Sequence, residues 1–492
     1  MDLHWVKLAV KVFFVCLLLW SLSPLGFCAL PFLAVIFIMR TRLRKENNVV
    51  AFFHPYCNAG GGGERVLWSA INAMHESDTA RKYFRRYIVF TGDRDVRPSA
   101  FFKKAKERFN IDLDASIVEF IYLKSRPLLE ARYYPRFTLA FQTLAGFIVG
   151  IEALWFMNPS IFIDTAGHPA TLPLFRFVGG SQVGCYVHYP TISCDMLNVV
   201  EAREATYNNA FLIANSSFLS NIKLIYYHLF AFLYRLCGQS SQLVMVNGSW
   251  TREHIQKLWG NSKRIYLVYP PCAVNMFSEI VPTSEKLLCD KHIVQLLSVG
   301  QIRPEKNHKL QIDVLKEIKA RLTRAGSIVK VKLVICGGCR NKEDEERVSM
   351  LKLYASKLGL TEDDLQWALN VPINELSALL GDSLVGIHSM WNEHFGISVV
   401  ESLAAGQIMV AHNSGGPAMD IIGNVSEENE CHTTVGFLAS TVDEYANCVI
   451  KVIAMDRRER DEIRKEARKS VVKFNEVNFA KSWNEAVSKC LL

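Results

Sequence analysis

The chain has 492 residues, 50% hydrophobic and 21% charged, which exceeds one ordinary domain and excludes a disordered or collagen-like polymer. Its 56 Lys and Arg against 48 Asp and Glu leave a net charge of +8, a mild excess that suits an anionic membrane surface or a phosphorylated ligand. No basic block interleaved with aromatics points to nucleic acid, and 13 cysteines without regular spacing read as reduced thiols rather than a disulfide framework.

No charged residue occurs from Val12 to Met39, a run of 28, and about 20 apolar residues cross a bilayer core. Arg40, Arg42, Arg44 and Lys45 follow it. The run is too long for a signal peptide and predicts an uncleaved anchor, with residues 1–46 as anchor and basic flank and the larger C-terminal body cytosolic. The sequons at Asn215, Asn247 and Asn424 would then stay unmodified.

From residue 47 apolar runs alternate with amphipathic stretches. Strands are predicted at Val49–Phe53, Tyr87–Phe90, Ser116–Tyr122, Ile161–Asp164, Gln182–Val187, Phe211–Asn215 and Leu243–Asn247, and a helix at Glu64–His75. The uncharged Thr138–Ile151 predicts a buried core helix. Leu224–Tyr234, rich in aromatics between Lys223 and Arg235, reads as either an interfacial or a core helix. A second series follows the polar stretch Pro282–Lys291. It has strands at Ile293–Val299, Val331–Cys336, Leu384–His388 and Ile408–His412, and helices at His308–Arg324, Glu343–Leu358 and Ile397–Ala405. After Arg457 come two charged amphipathic helices. The pattern predicts an α/β chain of two Rossmann-like domains, 47–285 and 286–474, facing a central cleft, with a terminal helix at 475–492.

Five strings carry candidate chemistry. Gly60–Gly63 lies between a strand and a helix, where glycines allow close backbone approach and a helix N-terminus favours an anion. It is neither a P-loop nor a dinucleotide fingerprint. Arg303 and Lys306 stand in a turn at the carboxyl edge of the second sheet, where a diphosphate would sit. Glu393 precedes the helix that starts near Gly396, and Glu401 lies inside that helix among apolar residues; such a carboxylate needs a partner, and a ribose diol would serve. Ser414-Gly-Gly-Pro is a further backbone-approach loop, and His188 ends a strand of the first half at the cleft. The pairs Asp93–Asp95 and Asp112–Asp114 fall away from the expected cleft and are not read as metal ligands. Cys336 and Cys339 lack a second ligand pair and read as residues closing a strand.

Glu393 through Glu401 fits the Glu-x₇-Glu motif, and Arg303 and Lys306 fit the diphosphate-binding pair, of the retaining GT-B glycosyltransferases of family 4. The resemblance covers about residues 49–490. It implies mannose transfer from GDP-mannose to a dolichol-diphosphate-linked trimannosyl-chitobiose, in α-1,2 linkage, on the cytosolic face of the endoplasmic reticulum membrane. It also implies catalysis without a metal or other cofactor, and association with other early mannosyltransferases. In site terms it implies that Arg303 and Lys306 hold the diphosphate and Glu401 the ribose. Glu393 would contact the mannose, with the main chain of Phe395, Gly396 and Ile397 nearby, His188 would reach it from the opposite domain, and Gly61, Gly62 and Gly63 would line the donor site. A sibling enzyme with another donor or linkage, and a non-catalytic membrane-bound scaffold, are the alternatives.

Overall fold

A computed structural model describes residues 41, 43–193, 196, 217–260, 263–423 and 434–491. The expected anchor, the sequons at Asn215 and Asn424 and the strand expected at 211–215 lie outside those residues.

Val49–Phe53 is apolar at every position and at most 2% exposed. A run without alternation suits a strand covered on both faces, as in a parallel sheet between helices. It forms the carboxyl end of β1 (Lys45–Phe53), an interior strand of the first sheet. The other strands are β2 (Arg86–Thr91), β3 (Val118–Tyr122), β4 (Asn158–Asp164), β5 (Gln182–Val187), β6 (Leu243–Val246) and β7 (Ile265–Leu267). Their order is β3-β2-β1-β4-β5-β6-β7, every pairing parallel. The second sheet comprises β8 (Ile293–Val299), β9 (Lys330–Gly337), β10 (Leu365–Leu369), β11 (Val385–His388), β12 (Ile408–His412) and β13 (Phe437–Ala439). It runs β10-β9-β8-β11-β12-β13 and is parallel throughout. Two open parallel sheets of this kind are the two Rossmann-like halves of the predicted GT-B class, and in such sheets ligands bind outside the strands' carboxyl ends.

The chain end does not stay with the second domain. Helix Glu476–Leu491 packs Trp483 into the first core, 6.4 Å from the Phe52 ring and 5.9 Å from that of Tyr186. Asn484 Nδ2 donates to the Ala73 carbonyl at 2.8 Å. The first domain is thus completed by residues about four hundred positions downstream of its first helix, a non-local closure of the kind that slows folding.

Helix Thr138–Phe156 corrects one expectation. Only one side of it is buried, the stripe Ala145, Gly146, Val149, Gly150 and Ala153 with Leu154 beside it. Phe141, Leu144, Ile148, Trp155 and Phe156 are exposed. The small stripe lets the helix lie close to the domain, and these bulky groups on its other sides face outward. Helix Ser217–Gln239 buries Tyr227, Phe230 and Tyr234 and exposes Ile225, Leu229, Phe232, Leu233 and Leu236. The two helices touch: the Ala140 amide donates to Tyr226 Oη at 3.0 Å, and the Phe137 ring meets that of Tyr226 at 5.4 Å.

Candidate active site

The second domain contributes a charge pair. Lys306 closes the short turn Pro304–Lys306 and forms an ion pair with Glu393. His388 Nε2, at the end of β11, lies 3.1 Å from the same Glu393 oxygen. Burial pushes the Glu393 carboxyl up, but Lys306 and His388 overcome it and hold it well below the usual carboxylate range. The surrounding polar groups fix this pair. Ser389 Oγ lies 2.8 Å from the Lys306 carbonyl and receives Gln311 Nε2 at 2.8 Å, and Tyr445 Oη donates to the His388 carbonyl at 2.8 Å.

The Ser414-Gly-Gly loop passes beneath residues 391–396. A Cβ on Gly415 would lie 2.2 Å from the Glu393 carbonyl oxygen, and one on Gly416 2.2 Å from that of Phe395. The Gly416 amide donates to the Glu393 carbonyl at 2.7 Å. Glycine is required at both positions by space, and Gly415 also has φ +57. Gly396, at φ +108, caps helix Ile397–Ala404, whose first amides are free to meet an anion. The Phe395 ring is buried between Tyr269 and Phe474, so its main chain alone can face a ligand.

The first domain presents the glycine turn. Both Glu64 carboxylate oxygens are committed to it, accepting from the Gly60 amide at 2.6 Å and the Gly61 amide at 2.7 Å. A Cβ on Gly62 would stand 3.0 Å from Ile397 Cδ1, so the turn abuts the capped helix of the opposite domain. A Cβ on Gly63 would stand 3.5 Å from His54 Cε1 and 3.7 Å from His188 Nε2. His54 Nδ1 pairs with Thr165 Oγ1 at 2.9 Å. His188 Nε2 is shielded from solvent and has no hydrogen-bond partner among the described residues, so it could meet a ligand hydroxyl.

Two further links cross the cleft. Glu401 forms an ion pair with Arg65 of the first domain and accepts from the Ala273 amide at 3.3 Å on the same oxygen. The partner its burial demands is therefore already present in the protein, and its other carboxylate oxygen has no hydrogen bond among the described residues. Buried Asp420 accepts from the Ser249 amide at 2.8 Å, from Ser249 Oγ at 2.6 Å and from Tyr269 Oη at 2.9 Å.

Gly61, Gly62, Gly63, His188, Lys306, Glu393, Gly396, Ile397 and Glu401 are thus gathered at one cleft. Arg303 stands at its rim, exposed and without an ion pair among the described residues. Sequence reasoning gave no role to Arg65, His54, His388 or Asp420. His388 had the signal that marked His188, a histidine at a strand's carboxyl end; Arg65 stood in the glycine string itself. Asp93 was placed away from the cleft and is not. It accepts from the Asn58 amide at 2.9 Å, two positions before Gly60. Asp112 pairs with Lys106 at 2.7 Å and Asp114 binds Ser116.

Residues 47–259 match the family described as "ALG11 mannosyltransferase N-terminus", and residues 283–470 match "Glycosyl transferases group 1". A Caenorhabditis elegans protein named GDP-Man:Man(3)GlcNAc(2)-PP-Dol alpha-1,2-mannosyltransferase is 50% identical over 93% of this chain and 95% of its own length. A Xenopus tropicalis protein of the same name is 47% identical over 88% of this chain and 86% of its own. Among solved structures, sucrose-phosphate synthase from Thermosynechococcus elongatus superposes with a TM-score of 0.63 at 15% identity, covering 90% of this chain and 98% of that one, a likeness of fold.

Burial holds His54, His168, His188 and His308 each at a pKa of about 4, against an ordinary 6.5. They are neutral in the folded chain and take up protons on unfolding, so their contribution is complete above pH 6.5 and is lost as pH falls towards 4. Each weakens folding by about 1.4 kcal/mol per pH unit in that window. Asp164, raised by burial to about 6, works in the opposite direction but is outnumbered. The denaturation midpoint should therefore be lower at pH 5 than at pH 7; an equal or higher midpoint at pH 5 contradicts this.

Proposed function

This chain belongs to the family of the GDP-Man:Man(3)GlcNAc(2)-PP-Dol alpha-1,2-mannosyltransferases, and from that premise we propose that its cleft transfers mannose from GDP-mannose to the Man(3)GlcNAc(2)-PP-dolichol acceptor, adding the fourth and fifth mannoses in α-1,2 linkage. The observation that carries the reading at the level of residues is the convergence of Glu393, Lys306, His388 and His188 on one space between the two sheets.

In this reading the donor's diphosphate lies against Arg303, Lys306 and the amides that open helix Ile397–Ala404. The ribose meets the free oxygen of Glu401. As the bond from the anomeric carbon to the diphosphate breaks, negative charge grows on the leaving group. Fixed cations and amides aimed there stabilise the transition state more than the ground state. The acceptor hydroxyl forms the new bond, and its proton passes to the departing phosphate. Glu393 shares one oxygen with both Lys306 and His388, which suits it to positioning charge near the mannose better than to attacking it. The configuration at the anomeric carbon is retained. Protein cations take the role that a divalent metal plays elsewhere, so a chelator leaves turnover unchanged.

The assay uses detergent-solubilised full-length chain, labelled GDP-mannose and a synthetic lipid-diphosphate trimannosyl acceptor. The expected result is two added mannoses, both released by an α-1,2-mannosidase. Transfer from a UDP-sugar in place of GDP-mannose would reassign the donor, and nucleotide binding with no transfer would leave a binding scaffold.

The acceptor lipid confines the reaction to a membrane surface, and this reading places the body on the cytosolic face of the endoplasmic reticulum, tethered by the apolar run Val12–Met39. Two helices extend that attachment. Helices Thr138–Phe156 and Ser217–Gln239 touch at Ala140 and Tyr226, and both expose large apolar side chains, among them Trp155, Phe156, Leu229, Phe232 and Leu236, the composition of a surface seated in headgroups. Docking there raises the local concentration of acceptor at the cleft, and neighbouring mannosyltransferases of the pathway would share the same surface. Because these side chains are exposed, Trp155→Glu with Phe232→Glu should lower turnover on acceptor in vesicles by about tenfold while sparing GDP binding. Equal loss of both would mean that the domain itself was disrupted.

A further inference from the structure

Counting the charges at the cleft leaves an excess of arginine. Lys306 is answered by Glu393, and Arg65 by Glu401. Both phosphates of a sugar nucleotide are ionised at neutral pH, and the departing nucleoside diphosphate gains a further charge. One unpaired arginine, Arg303, is a small counterweight.

Two more unpaired guanidinium groups approach the same space. Arg340 follows the carboxyl end of β9, beside the end of β8 that leads to Arg303. The two ends are bonded: the Ile302 amide donates to the Gly338 carbonyl at 3.1 Å. They are also pressed together, since a Cβ on Gly337 would lie 1.6 Å from the Gly300 carbonyl oxygen. Arg108 comes from the first domain, at the end of helix Pro98–Phe109. Its Nε lies 3.1 Å from where Gly60 would carry a Cβ, so the side chain rests on the glycine turn. Arg108, Arg303 and Arg340 are all exposed, and no described residue forms an ion pair or a hydrogen bond with the guanidinium of any of them; Asp344 accepts from the Arg340 main-chain amide at 3.0 Å. Partial burial, then the charges of Arg303 and Arg108, hold the Arg340 guanidinium below the usual arginine range. Of the two acids that act on Arg340, Glu64 has both oxygens committed to the glycine amides, and Asp344 is bonded to the Arg340 main chain rather than to its guanidinium. Like charges converging from two domains with no carboxylate bonded to their guanidinium groups repel one another, and a bound anion would relieve that repulsion.

We propose that Arg340 and Arg108, together with Arg303, grip a diphosphate from both sides of the cleft, so that the anion itself draws the two domains together. The planar fork of arginine suits phosphate oxygens. Donor and acceptor both carry a diphosphate. The acceptor's lies at the far end of its oligosaccharide from the hydroxyl that reacts, which makes the nucleotide the occupant. The identity of that nucleotide rests on the donor reading above; the role of the arginines does not.

The test titrates GDP and guanosine into the full-length detergent-solubilised chain, its Arg340→Gln and Arg108→Gln variants, and the double variant. Acceptor KM is measured in parallel. One lost charge-assisted hydrogen bond corresponds to about a tenfold rise or more in Kd. Each single variant should therefore bind GDP about tenfold more weakly, with a shallower salt dependence, while guanosine affinity and acceptor KM stay within about twofold and the melting temperature is unchanged. GDP affinity within twofold of the unsubstituted chain in both variants overturns the proposal, as does an equal loss for guanosine. A change confined to acceptor KM also overturns it and assigns the arginines to the lipid diphosphate. If the unsubstituted chain binds UDP and not GDP, the donor reading fails, and the same titration with UDP and uridine still decides the role of the arginines.

Discussion

The ion pair between Lys306 and Glu393, largely withdrawn from water, sets the geometry of everything around it. Removing two charges from solvent costs several kcal/mol each, and mutual attraction offsets this only when further hydrogen bonds complete the arrangement. The chain supplies them from separate elements: His388 from the end of β11, Ser389 and Gln311 behind the lysine turn, and the Gly416 amide beneath the glutamate loop. The glycines at 415 and 416 follow from the same demand, because any side chain there would push residues 393–395 out of place.

Closure of the cleft rests on contacts of a different kind. Arg65 on Glu401, Ser249 and Tyr269 on Asp420, and Gly62 against Ile397 all join the two domains. The terminal helix adds a covalent constraint, since it returns from the second domain to bury Trp483 in the first core. Two of these links end next to a group that the donor is expected to touch. Opening the cleft would expose Glu401 without its countercharge, so domain motion and donor binding draw on the same side chains.

Much of the fold was legible because parallel strands covered on both faces leave long apolar runs. Gln182–Val187, Ile293–Val299 and Ile408–His412 are predicted and observed with identical limits. The strands that escaped notice are at or near sheet edges. β7 is three half-buried residues, and β10 and β13 are part-exposed and short. Thr138–Phe156 misled because length and apolarity are the same for a core helix and for one that faces a lipid surface; only the small stripe at Ala145, Gly146, Val149 and Ala153 separates them, and its meaning depends on a packing partner that sequence does not reveal. Candidate residues at strand ends were legible by position. Their pairings were not. Nothing local ties Arg65 to Glu401 or Ser249 to Asp420, because those contacts exist only once two separate domains face each other.

Glu393 holds the same Lys306 that the proposed diphosphate would meet, so in the proposed function carboxylate and phosphate compete for one cation while Glu393 positions charge near the mannose. Glu393→Gln tests it most directly, with GDP affinity and turnover measured on the same preparation. The account predicts that GDP binds at least as tightly, because Lys306 loses its competing carboxylate, while kcat falls by about 10²–10³. Turnover near that of the unsubstituted chain, or GDP affinity lost in step with turnover, would contradict it.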